Sequence, residues 1–324
     1  MTRISAPPVP ATALRPLRAA LRTVAIVSCL PYIALKTAWV AGSRVGIPDG
    51  SALLDHRAPM AVANGGSVLM DGAVVVLALL LTRPWGLRVP AWLLALPMWT
   101  ATGLLLPIMT GYPLQLLVRA LSADTAGPED TGGPFLHEWV FGVVYGGFIL
   151  QGLSLGTLFA LYARDRWGHL WRGTLRDLPG SPTAPALRAG AVAASLLALV
   201  PVTTHLLRAA GLVSGRDAGR DSGFQVVEAV YALWAAATVA GILLLAFRRS
   251  ALPLRVPLAL AWGGSGATAC WGGWLSLASL GRAEGDAPGM VLTYAVQMLV
   301  GTLVVTLGAY FLAERAAGSR GAPA

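Results

Sequence analysis

Eight apolar runs constrain this chain more than any other feature. They lie at about 23–42, 65–82, 89–109, 136–162, 187–207, 225–247, 255–281 and 289–312. Each is near the roughly 20 residues that carry a helix across the hydrocarbon core of a bilayer. No water is available there to satisfy a backbone amide, so a chain of such runs is expected to be all-α, a polytopic bundle of eight transmembrane helices. The composition agrees. Only 12% of the 324 residues are charged and 56% are hydrophobic, whereas soluble domains carry about 25% charged residues. An ordinary soluble enzyme and a disordered chain are both excluded, and a multi-pass protein of the plasma (inner) membrane is expected.

The charges then orient the runs. The net charge is +9. With the N-terminus in the cytoplasm, the inner segments hold 16 of the 24 basic residues: Arg3, Arg15, Arg18, Arg22, Arg83, Arg88, Arg164, Arg166, Arg172, Arg176, Arg188, Arg248, Arg249, Arg255, Arg315 and Arg320. Only Asp165, Asp177 and Glu314 oppose them. The outer segments are acid-rich, so the pattern follows the positive-inside rule and places both termini in the cytoplasm. The basic balance thus reports topology. With no basic patch interleaved with aromatics, no nucleic-acid partner is expected. No small-residue cleavage site follows the N-terminal arginines, which makes the first run a retained span. Trp85, Trp139, Trp167 and Trp171 fall at span ends, where an aromatic belt belongs.

The string LRVP occurs at Leu87–Pro90 and again at Leu254–Pro257, each time opening the third span of its half. The first and fourth spans of the halves also resemble each other. A parallel four-plus-four repeat is expected, because an even number of spans gives both halves one orientation. The resulting organisation is a cytoplasmic segment 1–22, a first half 23–162, a basic linker 163–186, a second half 187–312 and a tail 313–324. Gly142 and Gly146, Gly152 and Gly156, and the glycines at 263, 264, 266, 272 and 273 are small residues that let helices approach closely. Proline kinks are expected at Pro31 and Pro201.

Ionisable groups inside a membrane are costly and mark function by default. The spans hold Lys36, Asp71, Glu138, His205 and Glu228, with Gln151, Tyr145 and Tyr231 near them. Counted at 1.5 Å per residue, all five ionisable groups fall in the outer half of the bilayer. Asp71 is expected to pair with Lys36. Trp39, Trp99, Trp234 and the tyrosines have faces that stabilise cations, and they equally serve as packing. Cys29 and Cys270 have no metal-ligand spacing and read as buried thiols. There is no phosphate-binding loop, dinucleotide fingerprint, paired-histidine metal motif or GxSxG, so no cofactor and no metal are expected.

The segments PYIALKTAW (31–39), LMDGAVVVLAL (69–79), RPWGLRVPAWLLALPMWTATGLLLPI (83–108) and VVYGGFILQG (143–152) resemble a large actinobacterial family of eight-span membrane proteins. That group is associated with bacterial membrane-bound terpene cyclases that close prenylated indoles. The resemblance covers most of the first half and weakens after residue 185. It implies an embedded carboxylic acid that protonates an alkene or epoxide, aromatic residues that stabilise the carbocation, and a base that ends the reaction. Asp71, Glu138 and Glu228 are the candidate acids and bases. Lys36, Trp39, Trp99, Tyr145, Gln151, His205, Tyr231 and Trp234 are the candidate substrate-lining groups. An Asp71–Lys36 ion pair would argue against Asp71 as the acid and favour Glu138 or Glu228. The expected partners are a lipophilic small molecule and membrane lipid. Two other readings stand beside the cyclase: a proton-coupled transporter or small-molecule binder, and an accessory protein without chemistry.

Overall fold

The computed structural model describes residues 14–51, 57–121, 136–212, 222–280 and 288–321. Among them are nine α-helices: α1 (Arg15–Val27), α2 (Leu30–Val40), α3 (Arg57–Thr82), α4 (Ala91–Leu121), α5 (Glu138–Trp167), α6 (Ala184–Ala209), α7 (Ser222–Phe247), α8 (Arg255–Leu280) and α9 (Pro288–Gly321). No strand occurs among the described residues beyond one isolated bridge, Thr174 with Pro253. Every expected run is helical, and most helices extend past it. α3 starts at Arg57 rather than 65, and α4 continues to Leu121 rather than 109.

Seven stretches are long and apolar enough to cross a membrane. The first, Arg15–Val40, joins α1 and α2. The helix breaks at Ser28 and Cys29, directly before Pro31, because proline supplies no amide to continue the ladder and its ring clashes with the preceding turn. Pro201 behaves differently, lying inside an uninterrupted α6. α8 is as long as its neighbours but is not among the seven.

The described residues form two compact units. The first comprises residues up to 94 and 136–166, that is α1, α2, α3 and most of α5. At one end of it, Tyr162 donates to the Gly86 carbonyl at 2.9 Å and Arg166 donates to the Val89 carbonyl at 2.9 Å. These bonds pin the short 3-10 turn Pro84–Arg88 that follows α3. Only glycine fits at position 86, since a Cβ there would lie 1.8 Å from the Leu80 carbonyl oxygen. Gly147 also packs closely, against the Ser28 carbonyl at the α1–α2 break, whereas Gly146 and Gly156 face open space.

The second unit takes α4 from Ala95 onward together with α6, α7, α8 and α9. Its centre is α8, whose residues 263–269 are all buried. Seven consecutive positions cover every face of a helix. The approach is at backbone distance on three sides. A Cβ on Gly103 of α4 would meet the Gly266 carbonyl at 2.3 Å, one on Gly264 the Thr238 amide of α7 at 2.6 Å, and one on Gly272 the Tyr294 carbonyl of α9 at 2.7 Å. The expected use of small residues thus holds in α8 and not at Gly146 or Gly156. It also accounts for the modest hydropathy of α8, since a helix surrounded by other helices has to fit them rather than dissolve in lipid.

Candidate functional site

The sequence places its polar residues in one constellation, whereas the structure gathers them into two clusters, one within each unit.

In the first unit, α3 carries Asp71 at its middle. Asp71 is 14 residues from the start of α3, about 21 Å at 1.5 Å per residue. The side chain is 4% exposed. The amide nitrogen of Gln151 on α5 donates one hydrogen to Asp71 Oδ1 at 3.0 Å and the other to Cys29 Sγ at 3.3 Å. Cys29 in turn donates to the Ala25 carbonyl at 3.1 Å. Asp71 Oδ2 is buried and has no hydrogen-bond partner among the described residues.

Lys36 does not pair with Asp71. Its ammonium donates to Asn64 Oδ1 at 2.9 Å and lies 5.0 Å from the Tyr32 ring and 4.9 Å from the Trp39 ring. The reason is local. Tyr32, Lys36 and Trp39 are spaced four and three apart on α2, so they share one face. Asn64 precedes Asp71 by two helical turns on α3 and intercepts the lysine first. Trp39 is held by its own bond to the Val45 carbonyl at 2.7 Å. Tyr145 stands between Phe141 and Phe148, with ring centroids 6.1 and 6.5 Å away, and Phe148 meets Tyr32 at 4.9 Å. Glu138 is not part of this cluster. It opens α5, exposed, 13 residues or about 20 Å along that helix from Gln151. An acid at a helix N-terminus is favoured by the helix dipole.

An apolar groove of about 500 Å³ lies in the same unit, at the α1–α2 break. It is lined by Val24, Val27, Ser28 and Pro31 on one side and by Gly146, Gly147 and Leu150 of α5 on the other. Ser28 and Leu150 are the chain neighbours of Cys29 and Gln151, but Asp71, Cys29 and Gln151 do not themselves line the groove.

In the second unit, α6 carries His205 and Arg208 three residues apart on one face. Both reach Glu228 of α7. His205 Nδ1 is 2.5 Å from Glu228 Oε2, and Arg208 Nε donates to Glu228 Oε1 at 2.9 Å. His205 is 0% exposed and its Nε2 has no partner. The ring of Tyr231 lies 5.3 Å from His205 and 5.6 Å from Trp271. The indoles here act as interhelical ties. Trp99 donates to Ser265 Oγ at 3.0 Å, Trp234 to Thr110 Oγ1 at 3.2 Å and Trp271 to the Leu104 carbonyl at 3.2 Å.

Asp71 and Glu228 are therefore chemically unlike. Both Glu228 oxygens are engaged, one by a guanidinium, which suits a fixed carboxylate. Asp71 has one neutral amide donor and one free oxygen, which suits a group that gains and loses a proton. Sequence reasoning missed Asn64 and Arg208. The signal for Asn64 is the seven-residue spacing to Asp71. The signal for Arg208 is the three-residue spacing to His205, obscured by assigning Arg208 to a loop. Comparisons with protein-family models, curated proteins and solved structures find no match for this chain.

Proposed function

We propose that this chain is an integral-membrane terpene cyclase acting on a prenylated, lipophilic substrate, and that Asp71 is its general acid. The observation that carries the reading is the state of Asp71: buried, hydrogen-bonded through one oxygen to Gln151, and free at the other. Lys36 makes no direct ion pair with Asp71: its ammonium donates to Asn64 and faces two aromatic rings, so it acts on Asp71 only through space.

In this mechanism the proton on Asp71 Oδ2 is transferred to the terminal alkene of the prenyl chain. The C–H bond forms at the less substituted carbon and leaves a tertiary cation. The next alkene closes a ring onto that cation, and loss of a proton to a base restores neutrality. The product is an isomer of the substrate, and no cofactor is required. Tyr145 and Tyr32 would face the cation path, and the groove beside Cys29 and Gln151 would take the apolar chain. The same reading has α8 crossing the bilayer as an eighth span, the two halves arising by duplication, and both termini in the cytoplasm of a bacterial plasma membrane.

A proton-coupled transporter is the second reading, favoured by the same feature, since a mid-helix acid with a free oxygen can also carry a proton between two faces. One experiment separates the two. Membranes containing the protein are incubated with farnesylated indole and the products are analysed by mass spectrometry and NMR. A cyclase yields a product of unchanged mass and altered connectivity. If no isomer forms from any prenylated acceptor, and liposomes show uptake driven by a pH gradient, the enzyme reading is lost.

A further inference from the structure

The second unit gathers positive charge at the end that carries the start of α6 and the ends of α7 and α9. Arg188 of α6 donates from Nε to the Ala246 carbonyl at 3.4 Å, Arg248 donates from Nη1 to the Pro179 carbonyl at 2.8 Å, and Arg315 of α9 donates from Nε to the Leu170 carbonyl at 2.5 Å. Arg248 is close enough to the other two for their charges to repel, and close enough to Glu314 to be attracted by it. None of the three forms an ion pair with a described carboxylate. Glu314 also accepts from Ser181 Oγ at 2.5 Å and Thr183 Oγ1 at 2.7 Å.

Two details go beyond a general excess of arginine on one side of a membrane. Arg248 is the one described non-glycine residue with positive φ, 53°, and it directly follows α7. That position usually belongs to glycine, and a strained backbone at a specific side chain is a pointer to function. In addition, Arg248 Nε–H is buried without an acceptor. Against these three guanidiniums, held by neutral carbonyls, Glu314 supplies one negative charge, which leaves the cluster net positive. Exposed Phe247, Leu252 and Val192 border it with apolar surface.

We propose that Arg188, Arg248 and Arg315 bind the phosphate of an anionic phospholipid, with the acyl chains lying on the adjoining apolar surface. Guanidinium groups match phosphate oxygens in geometry and charge, and basic pockets at helix ends are suited to such headgroups. This site is independent of the Asp71 reading and is tested without any assay of turnover.

The full-length protein in zwitterionic micelles is titrated with phosphatidylglycerol, and binding is followed by thermal unfolding and by native mass spectrometry. The test variant is Arg248→Gly. Glycine adopts the positive φ freely, so this variant is expected to keep or raise its melting temperature in phosphatidylcholine. Its affinity for phosphatidylglycerol is expected to fall about fivefold, the worth of one arginine at a membrane surface. Arg255→Gln removes one charge at the exposed start of α8 and is expected to leave that affinity nearly unchanged. Equal losses in the two variants would mean diffuse electrostatics and would overturn the site. Inorganic phosphate stabilising the protein as well as phosphatidylglycerol does would overturn the lipid headgroup as the ligand.

Discussion

The two polar clusters solve one problem, a carboxylate inside an apolar bundle, in opposite ways. In the second unit, Glu228 is closed on both oxygens by His205 and Arg208. In the first, Asp71 has a single neutral donor and a free oxygen, while the nearest cation spends its charge on Asn64 and two rings. Burying an ion costs several kcal/mol unless it is paired. A closed triad meets that cost permanently and becomes architecture. An open acid has no such partner, and on the proposed reading it meets the cost by carrying the proton that it transfers. What separates the two carboxylates here is the company each keeps: an ion pair for one, a single neutral amide for the other.

The largest contrast is expected between the two acids themselves. Asp71→Asn keeps the shape and a hydrogen bond to Gln151 but removes the transferable proton. Turnover should fall about 10³-fold, in the range attributed to general acid catalysis, with little change in melting temperature. Glu228→Gln should do the reverse. It leaves Arg208 without its carboxylate, at a cost of about 3 kcal/mol read by unfolding in detergent, while the folded fraction retains its turnover. If both substitutions acted mainly on stability, the distinction between the clusters would collapse. A smaller effect, about 1 kcal/mol or less, is expected from Lys36→Met, which gives up one hydrogen bond and exchanges two cation–π contacts for apolar ones. Activity should survive it within a few-fold. A loss approaching that of Asp71→Asn would instead couple Lys36 to the acid.

The smallest effect lies outside the spans. Asp177 accepts from the Thr174 amide at 3.1 Å and from its hydroxyl at 2.7 Å, closing a cap on the turn Leu175–Asp177. The Thr174 hydroxyl and amide hold the carboxyl below its ordinary value of 3.8. Its stabilising contribution is therefore present above that pH and lost as the pH falls through the depressed value. Asp177→Asn should remove that slight acid dependence of unfolding and leave both buried clusters untouched.

Helix positions were legible in the sequence because hydrophobic length is a strong signal. Their ends were not, because helices such as α3 and α9 continue past the apolar run into residues that no longer face hydrocarbon. Within the clusters, the residue types were legible and the pairings were not. Lys36 and Asp71 are the obvious opposite charges in the first half, yet which face of α3 meets α2 is set by tertiary packing, and that face presents Asn64. The hydrogen-bond partners of the aromatic residues were not legible either. An indole N–H must find an acceptor when buried, and Trp99, Trp234 and Trp271 spend theirs joining helices.

The glycine-packed α8 bears on how such a chain is made. Entry of a helix into a bilayer is driven by side chains that prefer lipid to water, and α8 has exchanged many of those for surfaces that match α4, α7 and α9. Alone at the membrane it would have little reason to stay. Its two neighbours in sequence, α7 and α9, are both apolar enough to cross and flank it closely. On the proposed eight-span reading the order of assembly is thereby constrained, with the central helix retained by partners that insert on either side of it. Substituting Gly264 or Gly272 should therefore be felt during biogenesis, as a chain that fails to integrate, before it is felt as a loosened fold.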